Sequence, residues 1–337
     1  MNLKASLVTF AKIALCSVAV YLVARTIEVD ALMRTWQAAS KPLLAVAVGL
    51  FLLTPVLQAL RLRRLLGSHE IKLGWAEDVR LAFAGNFLNF AAPLGSTSGD
   101  VFKAAVVARH ASRRQQGWEA ATIVIVDRAV GLGVLLLSVA TIALLAPEGS
   151  RLGVLRTNLY AFSIVLLLGV LAVVTLPRWK HLLPEAWREK LPRRELIRRV
   201  SETARRLLAC PRTIAIAVLT TVVLQIVAAA AFLCVALAVG FTLSPSEWTS
   251  MYAFFSTGEI VKALPGPPQG LGTMELAYAY LFADWASASQ IVSAAIGIRL
   301  VSLLCALPGA MLLTEPQAQA SGVSCGEVAS IEYRVSS

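Results

Sequence analysis

Residues 213–239 run for 27 positions without one charged side chain, and residues 42–60 for another 19. A helix of about 20 apolar residues rises ~30 Å, the thickness of a bilayer's hydrocarbon core. In lipid each backbone N–H and C=O must be satisfied within the segment, which makes a helix the natural form of such a run. Four further runs, 5–24, 118–145, 155–176 and 288–313, are long enough to do the same. Composition removes the alternatives. With 57% hydrophobic and only 15% charged residues, a chain of 337 residues cannot give a soluble domain a charged skin. Disorder is excluded too, because low hydrophobicity is what keeps a chain unfolded. The expected fold is an all-α polytopic membrane protein with about six transmembrane helices. The run 5–24 has no small-residue cleavage site after it, so it reads as a retained membrane helix and not a signal peptide.

Two more apolar regions are interrupted. Residues 79–109 contain Pro93-Leu94-Gly95-Ser96-Thr97-Ser98-Gly99, and residues 250–283 contain Pro265-Gly266-Pro267-Pro268-Gln269-Gly270-Leu271-Gly272. Prolines and glycines this dense end helices, so each region is a helical hairpin or one broken crossing. Charge decides the first case. Arg61, Arg63, Arg64 and Lys72 precede it, and Arg109, Arg113 and Arg114 follow it. The loop 177–212 holds eleven Lys/Arg. All three clusters face the cytoplasm, as the positive-inside rule asks, only if 79–109 is re-entrant.

The second region has no basic flanks, but a repeat places it. Pro93 precedes Arg128 by 35 residues and Pro265 precedes Arg299 by 34. Each half therefore reads span, span, re-entrant hairpin, span: residues 1–145 form the first repeat and 155–313 the second, followed by a disordered polar tail, 314–337. With both termini cytoplasmic, the first hairpin enters from the cytoplasm and the second from outside. Inverted repeats with discontinuous helices point to a transporter site near the midplane.

Ionisable groups inside a bilayer mark functional candidates, since a central Arg costs ~2.5–3.5 kcal/mol to insert. Arg128 and Arg299 lie ten and eleven residues into their spans, a depth of ~15–16 Å. A guanidinium offers two parallel donors to a phosphate or carboxylate, so one reading makes them paired anion clamps. In the other, each is neutralised by an internal acid such as Asp127, Asp100 or Glu275. Helices that restart inside the membrane leave N–H groups unpaired, and glycine lets a ligand approach them. Gly95 and Gly99 would serve in the first hairpin, with Ser96, Thr97 and Ser98 adding hydroxyls, and Gly270 and Gly272 in the second, with Gln269. Ordinary turns would explain the glycines as well. Asp100 and Lys103, like Glu259 and Lys262, are three apart on one helical face. Lys103 and Lys262 either add positive charge to a cavity or snorkel. Glu275 is either a headgroup partner or a cap for its helix. Asn86 and Asn89 either line a cavity or satisfy freed carbonyls. The loop 177–212 reads as an amphipathic anchor on an anionic leaflet.

Other chemistry is thinly represented. Five cysteines show no CxxC, and three histidines stand far apart in loops, so no metal site is expected. No GxxxxGK[ST] motif would bind ATP. No cofactor and no nucleic-acid partner is expected, and the surplus of Lys/Arg reports topology first.

The string Asn86…Asn89…Pro93…Gly99-Asp100-x-x-Lys103 with Asp127-Arg128 resembles one signature of the lysylphosphatidylglycerol synthase transmembrane-region family, the flippase-like domain family. Pro265-Gly-Pro-Pro-Gln-Gly270-Leu-Gly272-Thr-Met-Glu275 with Arg299 is similar to its other signature. The resemblance covers nearly all of residues 1–313. It implies a stand-alone lipid translocase of the bacterial cytoplasmic (inner) membrane, without the soluble aminoacyl-transferase domain of two-domain members. Its partners would be membrane lipids: anionic or aminoacylated phospholipids, or polyprenyl-phosphate lipids. The expected function is a non-enzymatic flippase with Arg128 and Arg299 on the phosphate. The alternatives are a membrane-embedded enzyme acting on a polyprenyl or phospholipid phosphate through Asp100, Asp127 or Glu275, and a carrier of a small soluble anion.

Overall fold

The computed structural model describes residues 29–69, 71, 73–91, 97–110, 114–147, 150–179, 202–203, 205–207, 209–263 and 270–313. The run 5–24, most of the basic loop, the tail 314–337 and both interruptions' central residues, 92–96 and 264–269, lie outside them. Among the described residues no strand occurs. In chain order the helices are α1 (Val29–Ala38), α2 (Lys41–Phe51), α3 (Leu53–Gly67), α4 (Trp75–Ala91), α5 (Ser98–His110) and α6 (Arg114–Leu145). Then come α7 (Arg151–Trp179), α8 (Pro211–Ala238), α9 (Trp248–Ala263), α10 (Thr273–Leu281) and α11 (Ala288–Leu313).

Four stretches among the described residues are long and apolar enough to cross a membrane: Lys41–Gly67, Glu119–Leu145, Pro211–Ala238 and Ala288–Met311. They fall on four of the six expected runs, and the run 155–176 lies within the 29 residues of α7. Large apolar side chains stand exposed on the long helices, among them Leu137, Phe162, Leu219 and Leu304. Such a belt is stable against acyl chains and not against water. The protein is a multi-pass membrane protein.

The expected span 42–60 is kinked and longer than its charge-free run. Pro55 has no N–H to offer the Phe51 carbonyl, and Thr54 Oγ1 donates to that carbonyl instead, at 2.8 Å. The helix bends at Leu52 and then continues to Gly67. Arg61 is thereby carried into the bundle.

Each interrupted region folds as two short helices packed on each other, α4 on α5 and α9 on α10. The ring centroids of Phe254, in the middle of α9, and Trp285, after α10, lie 4.8 Å apart, and Thr249 and Ser250 at the start of α9 line one cleft with Asp284 and Trp285. The start of α9 and the chain just after α10 thus lie together. Glycine allows the close approach. A Cβ on Gly99 would lie 2.1 Å from the Gly85 carbonyl oxygen, and one on Gly258 would lie 2.1 Å from Tyr278 Cε1.

The packing has a further regularity. α4 lies on α11 and α9 on α6; α5 lies on α6 and α10 on α11. α3 touches α4 and α6, while α8 touches α9 and α11. Exchanging α3 with α8, α4 with α9, α5 with α10 and α6 with α11 carries each of these contacts onto another, although the contact of α6 with α8 has no equal between α3 and α11. α3 and α8 pack directly on each other. One apolar core forms around α3, α4, α5 and the start of α6. The other centres on α8 to α11, where Phe232 stacks on Phe255 at 5.0 Å and meets Tyr278 at 5.2 Å.

Candidate functional site

The two intramembrane arginines occupy equivalent places. Arg128 on α6 donates to Asp100, the third residue of α5. Arg299 on α11 pairs with Glu275, the third residue of α10: Nε lies 2.9 Å from Oε1, and a terminal nitrogen donates to Oε2 at 3.0 Å. An acid in a helix's first turn also complements the positive end of the helix dipole. Each pair clasps the second arm of a hairpin to the following span. The clasps differ in access, with side-chain exposures of 27% and 26% for Arg128 and Asp100 but 16% and 8% for Arg299 and Glu275.

Asp127 turns away from Arg128 and takes a third arginine. Arg61 grips it with two bonds, Nε to Oδ1 at 2.6 Å and a terminal nitrogen to Oδ2 at 2.9 Å, and donates to Thr221 Oγ1 at 3.0 Å. Counting Arg61 among the basic residues that mark a membrane face is therefore corrected: it is 7% exposed and ties α3 to α6 and α8. The cause is the continuation of α3 past residue 60.

The hairpin ends are capped from within. The Gly99 N–H donates to Asn89 Oδ1, and the Gly272 N–H to Glu275 Oε2, both at 2.8 Å. The Gly270 carbonyl accepts from Arg299 at 3.0 Å. Gly270 and Gly272 have φ of 62° and 81°, conformations that favour glycine. In place of bare N-termini, the described parts of both tips present backbone already engaged by side chains, and Glu275 acts as both cap and ion-pair partner. Gly95 lies outside the described residues. Lys103 is buried and lies across Gly85, where a Cβ would come 2.5 Å from its Cε. The expected neighbour pairing of Asp100 with Lys103 gives way to the Asp100–Arg128 clasp, whereas Lys262 does pair with Glu259 at 2.6 Å.

A cavity of about 240 Å³ is walled by α2, α3, α4, α8, α9 and α11. Its polar lining includes Gln58, Asn86, Asn89, Glu259 and Lys262; Leu224 and Phe255 are part of its apolar wall. Asn86 and Asn89 follow Gly85 by one and four residues, and Glu259 and Lys262 follow Gly258 by the same steps. One cavity is thus faced by matching positions of α4 and α9, amides on one side and an ion pair on the other. Gln58 Oε1 is buried without a hydrogen-bond partner. A buried acceptor left unmatched costs about 1–3 kcal/mol, so this wall is suited to a polar guest.

Of the residues nominated from sequence, Lys262 lines the cavity, while Arg128 and Arg299 are not among its lining residues. Asn86 and Asn89 line it, and Asn89 also serves the backbone. Gln58 and Glu259 were missed as lining residues. Gln58 had a signal, a lone amide in a charge-free run, and Glu259 had its register with Asn86 after a glycine.

A family model described as lysylphosphatidylglycerol synthase TM region matches residues 9–309. No curated protein matches the chain.

Proposed function

The chain belongs to the lysylphosphatidylglycerol synthase transmembrane-region family, and from that premise we propose that it is a flippase moving a phosphate-headgroup lipid between leaflets without altering it covalently. The observation that carries this reading is the polar cavity faced by matching positions of α4 and α9. A headgroup would enter it while the acyl chains stay among the exposed apolar side chains of the spans. Lys262 would hold the phosphate, Glu259 a positive or hydroxyl group, and Gln58, Asn86 and Asn89 the remaining polar atoms.

The exchange symmetry of the helix contacts supports an inverted repeat, and the positive-inside rule supports a first hairpin re-entering from the cytoplasm. In this reading the clasps Arg128–Asp100 and Arg299–Glu275 keep each second arm with its span, so that halves rock as bodies. A guanidinium has five N–H donors. Arg128 and Arg299 can therefore add a phosphate contact while keeping the carboxylate. The unequal exposure of the clasps fits one side of an alternating-access cycle. The drive would come from the lipid gradient, protons or the membrane potential.

The test is leaflet exchange of labelled anionic lipid in proteoliposomes. Lys262→Gln is expected to slow exchange at least tenfold, the equivalent of about 1.4 kcal/mol of lost recognition. Wild-type rates in that variant would remove the cavity from the mechanism, and a covalently altered lipid product would replace transport with enzymology.

A further inference from the structure

A larger cleft, about 510 Å³, opens where α3 ends and α4 and α8 begin. We propose that it is a second lipid-headgroup site, taking a phosphodiester whose headgroup carries a hydroxyl or ammonium donor.

Three arginines and one acid line it: Arg63 and Arg64 near the end of α3, Arg212 from the start of α8, and Asp78 from the first turn of α4. The fourth side chain neutralises only one of the other three. Arg63 donates to Asp78 Oδ2 at 3.0 Å and lies over the Trp75 ring, 5.8 Å from its centroid. Among the described residues, no ion pair takes Arg64 or Arg212, and both are exposed. Two free guanidiniums around one concavity are what a phosphate oxygen pair binds best. Surface topology alone would leave such charges scattered and solvated.

Asp78 supplies the second half of the recognition. Its side chain is 1% exposed, and while Oδ2 is held by Arg63, Oδ1 has no hydrogen-bond partner. A buried, unpartnered carboxylate oxygen on a residue that lines a cleft asks for a donor, which a glycerol or ethanolamine headgroup carries and a choline headgroup does not. Leu66, Ile71, Leu73 and Ile216 complete the wall with apolar surface, the surroundings a lipid's glycerol and first methylenes need and a free soluble anion does not.

The cleft and the central cavity share three helices. On α8 the lining moves from Ile216 to Leu224, eight residues, or ~12 Å along the axis. Arg61 on α3 and Thr221 on α8, joined to Asp127 of α6, lie between those levels. As a loading site for the cavity the cleft rests on the transport reading; as a headgroup site it does not.

Equilibrium binding of acyl-labelled phosphatidylglycerol to the purified full chain in uncharged detergent tests it. Arg64→Gln with Arg212→Gln, two exposed changes that leave the packing alone, is expected to weaken one class of site about thirtyfold, the loss of two surface cations. Phosphatidylcholine and soluble glycerophosphoglycerol are expected to compete poorly. Unchanged binding in the double variant, or equal binding of phosphatidylcholine, overturns the site. Full competition by glycerophosphoglycerol overturns the lipid as its occupant. Lys262→Gln is expected to leave this class of site intact while slowing leaflet exchange, so failure of the cavity reading and failure of the cleft register separately.

Discussion

Arg61 and Asp127 are the pair whose energetics the geometry states most sharply. Their side chains are 9% and 12% exposed and joined by two bonds. Removing one partner of such a pair strands a buried charge and costs about 3–5 kcal/mol, whereas replacing both by apolar residues of similar volume is often neutral. Arg61→Ala and Asp127→Ala are each expected to lower the melting temperature in detergent sharply, and Arg61→Met with Asp127→Leu to regain most of it. Equal losses in the double and single variants would mean that the pair is worth more than its burial costs. Asp78 makes a different prediction. Burial pushes its carboxyl up from the ordinary 3.8 to about 6, against the opposing pull of Arg63. The folded chain therefore holds this proton more tightly than the unfolded one. The resulting stability is complete below the ordinary value and is lost as pH rises through about 6. Asn mimics the protonated form, so Asp78→Asn is expected to flatten the melting-temperature profile across that window. An identical slope in the variant would show that other groups set it.

The hairpins show how far elements could be read from residues. Pro93 and Pro265 with their glycines announced both interruptions, and the helices stop and restart around them. What the glycines are for was less legible. Periodicity cannot tell a glycine that admits a ligand from one that admits another helix, because both need only a missing Cβ. Gly99 meets the Gly85 carbonyl, and Gly258 meets the Tyr278 ring. The kink at Pro55 was hidden for a related reason: hydropathy averages over a helix and carries no record of its direction. The close approach in the second hairpin predicts that Gly258→Ala, which forces a methyl against Tyr278, costs about 1–3 kcal/mol by overpacking. The same change at Gly133, where a Cβ meets nothing within 4 Å, is expected to be neutral or slightly stabilising, because alanine is the better helix former. Thermal melts of the two variants decide it, and equal destabilisation would count against arm-to-arm packing as the reason for Gly258.

At the scale of the whole molecule, class and family were legible, because long apolar runs and two Gly/Pro signatures survive in one dimension. The cavity was not, because it is built from residues on six helices whose adjacency no local pattern encodes. The clasps fall between: both acids were candidate partners for the arginines, and only the fold could choose Asp100 over Asp127. Orientation in the bilayer is the property that ties these levels together, and it can be probed directly. α9 has 16 residues and α10 nine, lengths of ~24 Å and ~14 Å, so one crossing would need both in series. Thr249 and Ser250, at the start of α9, instead share a cleft with Asp284 and Trp285, which follow α10. In a chain freed of its five native cysteines, Ser246→Cys and Ser287→Cys flank this hairpin at exposed positions. Both are expected to react with a membrane-impermeant maleimide from the outer face. Ala76→Cys, exposed at the opposite end beside the Arg63 cleft, is expected to react only from the cytoplasmic face. Reaction of Ser246→Cys and Ser287→Cys from opposite sides would make residues 250–283 a crossing. That outcome would also abolish the inverted repeat, since the arms of α9 and α10 could then no longer mirror those of α4 and α5.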